Sequence, residues 1–234
     1  LGDYIELIRE TGIERDTICI YTSDNGPGLP FAKWTLYDAG LNVPFVVKWP
    51  ALIKKATVSK ALLSFADVLP TLIELADGTP PKELDGRSFL PVLKGETDVH
   101  HEFVYATHTH KGVKAGSEYP IRSIRSRRYK YIRNFLADQV FTSIITEGCE
   151  SCSGIDADQC WAEWKSLAEK NPQVAKQVEK YQIRPDEEFY DLENDPFELN
   201  NLAGYSEYQN PMLELRRRLT VWMKKQNDPL AHRV

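Results

Sequence analysis

The stretch TICIYTSDNG, residues 17–26, sets a run of β-formers directly against Asp24-Asn25-Gly26. Thr17–Thr22 reads as a strand, and its abrupt polar end admits two readings. Asn-Gly is a strong turn signal, and an Asp-Asn-Gly after a strand is most often only that. The other reading is a site at the carboxyl end of a parallel strand, where open α/β sheets place their chemistry. Asp24 and Asn25 both offer oxygen, the donor that calcium and magnesium take, and Gly26 lets the backbone turn away.

Upstream, LGDYIELIRETGIERDT reads as an amphipathic helix over residues 1–15, already under way at Leu1, with Tyr4, Ile5 and Ile8 on one face. The expectation is a chain that starts inside a larger fold, so the lack of a visible leader carries no weight. Downstream, Ser23–Leu41 is a polar, Gly/Pro-rich connection. VPFVVKW, Val43–Trp49, is a second strand, apolar and β-branched enough to be central. SKALLSFADVLPTLIELAD then places Leu62, Leu63, Phe65, Ala66, Leu69, Leu72, Ile73 and Ala76 at helical spacing. Ser64 or Asp67 can cap a turn of it, and Pro70 sits where a first turn tolerates it. Strand, loop, strand, helix is the rhythm of a βαβ architecture. Within the connection stands Lys33, which is either a solvated lysine or one held near a cation to bind an anionic group.

Beyond residue 100 the texture changes. EFVYATHTH, YPIRSIRS and YKYIRNF are short alternating segments that predict an antiparallel sheet with one solvated face. Residues 137–182 read as a mostly helical insertion interrupted at Asn171-Pro172. EEFYDLENDPFELNNLA is a strand running into turns, and PMLELRRRLTVWMKKQND closes the chain as an amphipathic helix whose Arg216–Arg218 run is its solvated face.

The 234 residues suffice for a real core, and 42% hydrophobic with 27% charged residues is ordinary for a globular chain. A net charge of −5 gives no basic face for nucleic acid. The longest apolar stretches are too short to span a bilayer. Of the four cysteines, Cys19 reads as a small buried hydrophobe. Cys149, Cys152 and Cys160 are one ligand short of the usual structural zinc set, and they suit a loop-stapling disulfide about as well as free thiols.

Taken together, IYTSDNG and AKWTLYDAGLNVPFVVKWP resemble the second half of the sulfatase signature of the alkaline-phosphatase-like superfamily. Four further blocks follow in that family's order: FADVLPTLIELAD, LDGRSFLPVLKG, RSIRSRRYKYIRNF and EEFYDLENDPFELNNLA. Tyr119-Pro120-Ile121-Arg122, after His108 and His110, is most similar to the heparan N-sulfatase (sulfamidase) type. The resemblance covers nearly the whole chain apart from about residues 137–182.

The resemblance implies hydrolysis of sulfate esters or sulfamates of sulfated saccharides, assisted by calcium and a formylglycine nucleophile. Asp24 and Asn25 would be two of the metal ligands. Lys33 would be catalytic and substrate-binding, bridging sulfate and nucleophile. His108 and His110, two apart on a strand, share a face that suits the rim of a sugar pocket or a plain cross-strand pair. Arg122 and Lys111 suit carboxylates or sulfates of a glycosaminoglycan, whereas Arg125, Arg127 and Arg128 are expected to be solvated. Trp34, Tyr37 and Tyr119 either stack on sugar rings or fill core. Asp38 stands where the family commonly has Glu and reads as structural.

No cysteine or serine of this chain leads the Cys/Ser-x-Pro/Ala-x-Arg motif that yields formylglycine, and the family's N-terminal Asp pair is absent. The implied fold is therefore α/β: residues 1–100 as the C-terminal part of an alkaline-phosphatase-like sheet domain, then residues 101–234 as a smaller α+β subdomain with an antiparallel sheet, a helical insertion near 137–182 and a terminal helix. The expected partners are a sulfated saccharide and the N-terminal part of the same enzyme, with no nucleic acid and no membrane span. The setting implied is periplasmic, lysosomal or secreted. The alternatives are a related phosphoesterase or phosphonate hydrolase, and a non-catalytic saccharide-binding module.

Overall fold

A computed structural model describes residues 1–54, 56–109, 115–148 and 157–234. In chain order the elements are α1 (Gly2–Glu10), β1 (Cys19–Thr22), α2 (Asp38–Leu41), β2 (Phe45–Lys48), α3 (Val68–Leu75), α4 (Leu90–Leu93) and β3 (Val104–His108). They continue as β4 (Ile121–Arg125), β5 (Tyr129–Asn134), α5 (Ile144–Glu147), α6 (Ala157–Ala168), α7 (Pro172–Gln182), β6 (Glu187–Asp191) and α8 (Gln209–Lys225). The residues group into two compact units, Leu1–Ser23 with Pro44–Val104 and Asp24–Val43 with Tyr105–Val234.

In the first unit β1 and β2 pair antiparallel, Cys19 opposite Lys48 and Thr22 opposite Phe45. This corrects the parallel, central pair expected from the sequence. A parallel pair needs a crossover, usually a helix long enough to cover the sheet. The connection between these strands holds only the four-residue α2. Tyr21 and Val46 lie half exposed or more, and Cys19 is only partly buried, because a two-stranded ribbon covers neither face by itself. The opening helix is also shorter than residues 1–15. It ends at Glu10, where Gly12 takes φ +74°, and it buries no residue.

The helix expected from Leu62 onward begins later. Ser64 and Asp67 form a reciprocal capping box around a 3-10 turn, Phe65–Asp67, and α3 follows. Leu62 instead bridges His101. Phe89, Leu90 and Val92 supply the apolar core of this unit, with Phe45 packed edge-on to Phe89.

The second unit contains the sheet order β3-β4-β5-β6, with β4–β5 and β5–β6 antiparallel, as the alternating segments predict. The expected solvated face is corrected: successive residues of β4, β5 and β6, which point to opposite faces, are buried, so both faces of these strands are covered. Its core joins Leu36, Tyr37, Tyr119, Ile121, Ile132, Phe141, Ile145, Trp161, Tyr181 and Tyr190. The helical insertion thus packs its apolar stripe on the sheet. Asn171 caps α7 by accepting from the Gln173 and Val174 N–H groups, and Pro172 occupies the first turn. Along α8, Met212, Leu215, Leu219 and Met223 are buried at helical spacing, while Arg217 and Arg218 pair with Glu214 on the outer face. Among the described residues no helix is long and apolar enough to cross a membrane. Cys160 is a free thiol on α6, whereas Cys149 and Cys152 lie outside the described residues.

Candidate functional site

Asp24, Asn25 and Lys33 share one loop of the second unit, closed by short backbone bonds. Gly26 N–H donates to the Gly40 carbonyl at 3.0 Å, and Lys33 N–H to the Pro27 carbonyl at 3.1 Å. A Cβ at Gly26 would stand 1.9 Å from the Ala39 oxygen, so only glycine lets the two ends of the loop meet. The glycine of Asp-Asn-Gly therefore serves a close backbone approach.

Lys33 sits beside two non-glycine residues in left-handed backbone, Phe31 at φ +64° and Trp34 at φ +65°. For bulky residues this conformation is strained and persists only where packing over-determines it. Here the packing is aromatic. Phe31 lies 5.2 Å from the Tyr181 ring and 5.4 Å from the Tyr37 ring, and Trp34 also packs on the core. Thr35 Oγ1 donates within reach of the Phe31 and Ala32 carbonyls at 2.9 and 2.8 Å, tightening the turn. The Lys33 ammonium stands 5.1 Å from the Trp34 ring centroid.

The downstream end of the loop is anchored by a buried polar network. The Tyr37 hydroxyl donates to Glu188 at 2.7 Å, and Asn134 Nδ2 donates to the same carboxylate at 2.8 Å. Burial holds the Tyr37 phenol well above its usual pKa, helped by the Glu188 charge, so it stays a donor. Asp38 takes the buried Lys130 ammonium at 2.8 Å and Arg125 at 3.1 Å. Asp38 is thus structural, and Arg125 is ion-paired where the sequence predicts a solvated side chain.

Asp24 is exposed, and its Oδ1 accepts from the Asn25 N–H at 3.0 Å. Asn25 spends its amide N–H on the Gly26 carbonyl at 2.8 Å, so its donor end faces the chain. Among the described residues Asp24 joins no cluster of three or more His, Cys, Asp or Glu donors. His108 ends β3 half-buried, and its carbonyl accepts from Arg122 Nη1 at 3.3 Å. Arg122 is buried on β4 and ion-paired through Nε to Asp228, which ties the sheet to the chain beyond α8. His110 and Lys111 lie outside the described residues. Tyr37 and Tyr119 are core residues rather than exposed platforms.

Two features escape sequence reasoning. The strained backbone at Phe31 and Trp34 has no residue signal, since neither is Gly, Asn or Asp. The second is a set of side chains converging on Asp67, read from sequence only as a cap; its partners His100 and His101 carry no spacing motif.

Residues 28–145 match the family model described as N-sulphoglucosamine sulphohydrolase, C-terminal. The chain is 36% identical over 234 residues to an ulvan-active sulfatase of Formosa agariphila, covering 100% of this chain and 42% of that relative. It is 29% identical over 245 residues to N-sulphoglucosamine sulphohydrolase of Homo sapiens, covering 98% of this chain and 46% of that one. Its fold is similar to the structure of BT4656 in complex with its substrate D-glucosamine-2-N,6-O-disulfate, with TM-score 0.69 at 22% identity over 97% of this chain and 38% of that one. The chain spans less than half the length of each of these relatives.

Proposed function

Because this chain belongs to the sulfatase family, as its C-terminal region, we propose that it carries the anion-holding half of an active site that hydrolyses sulfate esters or sulfamates of sulfated saccharides. The observation that carries this reading is the loop itself: strained backbone beside Lys33 is maintained by a buried aromatic and ionic scaffold. Such strain clusters at functional sites.

In this reading Asp24 and Asn25 are two of the ligands of a calcium ion. Their chemistry supports it, since both bring hard oxygen donors and the Asn25 N–H end is already used by the chain. When bound, that ion would neutralise charge on the sulfuryl oxygens. Lys33 adds a compact ammonium at the same oxygens, stabilising the charge that grows as the S–O or S–N bond breaks. The nucleophile, a formylglycine hydrate, is assigned to sequence outside these 234 residues. In this reading residues 1–100 fall to the sheet domain and 101–234 to the α+β subdomain, with His108 at the end of β3 turned to the sugar and His110 proposed as a second sugar contact. Arg122, already paired with Asp228 and the His108 carbonyl, acts by holding that strand end in place.

The names of the relatives support a sulfated carbohydrate, one being ulvan-active and another acting on N-sulphoglucosamine. The test is sulfate release by the intact protein from sulfated saccharides, with Lys33→Ala and Asp24→Ala each reducing turnover strongly. Hydrolysis of phosphate diesters or phosphonates without sulfate release would overturn this reading in favour of phosphoryl chemistry. Saccharide binding without turnover would assign the chain to a binding module.

A further inference from the structure

We propose that Asp67, His100 and His101, all in the first unit, form a binding site for a divalent transition-metal ion of the zinc class. The three side chains come from segments more than thirty residues apart and converge with their ligand atoms within 4.8 Å of one another. Each is held in place by contacts of its own. Asp67 closes the 3-10 turn before α3, its Oδ2 accepting from Ser64 N–H at 2.7 Å and its Oδ1 from Arg87 N–H at 3.0 Å. His101 N–H donates to the Leu62 carbonyl at 3.2 Å, which pins the strand-like entry to the pair. The His100 ring lies edge-on to Phe89, and the His100 carbonyl accepts from the Arg87 guanidinium.

The spacing is that of a metal polyhedron. His101 Nε2 stands 2.9 Å from Asp67 Oδ2, and His100 Nε2 stands 3.5 Å from the same oxygen. With metal–ligand bonds of about 2.0–2.1 Å, the edges of a tetrahedron are roughly 3.3 Å. These two pairs bracket that edge, and all three ligand atoms lie within 4.8 Å of one another.

A second observation points to a ligand. The His100 side chain is only 7% exposed, and its Nε2 is buried without a hydrogen-bond partner among the described residues. A buried ring nitrogen left so is costly, and native structures normally satisfy it. A metal ion would do so, taking the Nε2 lone pair of each ring and one carboxylate oxygen. In the metal-free arrangement the His101 Nε2–H donates to Asp67; binding requires the Nδ1–H tautomer, at the expense of that one bond. Two imidazoles and one carboxylate suit zinc and its neighbours, whereas calcium takes six to eight oxygens. The backbone donors on Asp67 orient the carboxylate from behind, as outer-shell partners do. His101, 22% exposed, marks the side from which the ion enters and where water would complete the coordination. Arg87 is the cation facing the group, and its guanidinium is occupied by the His100 carbonyl.

The test uses the intact protein, stripped by chelation and then held in excess calcium so that hard-oxygen sites are filled. Zinc alone is titrated by equilibrium dialysis with metal analysis, and cobalt is substituted to read nitrogen ligation from its visible absorption. One equivalent of zinc is expected, with a rise in thermal midpoint. His100→Ala and His101→Gln, which leave the Asp67 cap intact, are expected to weaken binding about tenfold or more. Failure to retain zinc at submillimolar concentration would overturn the proposal. So would zinc binding unchanged in His100→Ala, or binding lost in Cys160→Ser, which would assign the ion to thiols.

Discussion

Gly26 lies against Ala39 so closely that a Cβ on the glycine would fall 1.9 Å from the Ala39 carbonyl oxygen. This contact shuts the base of the loop that carries Asp24, Asn25 and Lys33. Gly26→Ala is therefore expected to destabilise the protein by about 1–3 kcal/mol, the usual range for forced overpacking. It should lower turnover beyond what the lost stability explains. Urea unfolding alongside kinetics checks this, and an unchanged midpoint would show that the loop can open without cost.

Lys33 tests the proposed chemistry. Its ammonium rests over the partly buried Trp34 ring, which is held by the core beneath it. Lys33→Ala should leave the thermal midpoint nearly unchanged while reducing kcat by roughly a hundredfold or more, as for other single donors aimed at a developing anion. A fall in affinity alone, with kcat intact, would limit Lys33 to ground-state binding.

Calcium dependence tests Asp24. In the intact protein Asp24→Asn removes one formal negative charge from the proposed ion site and should raise the calcium concentration needed for half-maximal activity. Activity indifferent to chelation and to this substitution would remove calcium from the reading.

The scaffold beneath the loop tests stability. Tyr37 donates to the buried Glu188 carboxylate, which also takes Tyr190 and Asn134. Tyr37→Phe should cost about 1.5–3 kcal/mol, the range for a hydrogen bond to a charged group. Denaturant midpoints with unchanged slope would register it.

Acid stability tests Asp191. The Arg128 hydrogen bond, opposed by burial and supported by Asn194, holds the Asp191 carboxyl below the usual carboxylate range. A folded pKa below the unfolded value means that the contribution is complete above the unfolded pKa, about 3.9. It is lost as pH falls from there through the folded value. Asp191→Asn should lower stability at neutral pH and flatten the acid limb of the stability profile below about pH 4. A parallel acid limb in both proteins would refute the assignment.

Much of the fold was legible because local chemistry repeats along the chain. The alternation in YPIRSIRS and YKYIRNF placed β4 and β5, and Asn171-Pro172 marked the interruption of the helical insertion, which falls between α6 and α7. The strand direction of β1 and β2 was not legible, since an apolar run does not encode its partner's orientation. Tertiary contacts also set the burial of Arg122 and Arg125: each is a cation whose carboxylate, Asp228 or Asp38, lies far away in sequence.

By itself the sequence determined the element types, the family resemblance and the oxygen pair Asp24-Asn25, all of which depend on residue identity and short spacing. Only the tertiary structure decided why Gly26 must be glycine, why Phe31 and Trp34 bear left-handed backbone, and that Asp67 meets His100 and His101. The reason is physical. Strain and convergence are sustained by packing between segments distant in the chain, and neither periodicity nor composition carries that distance.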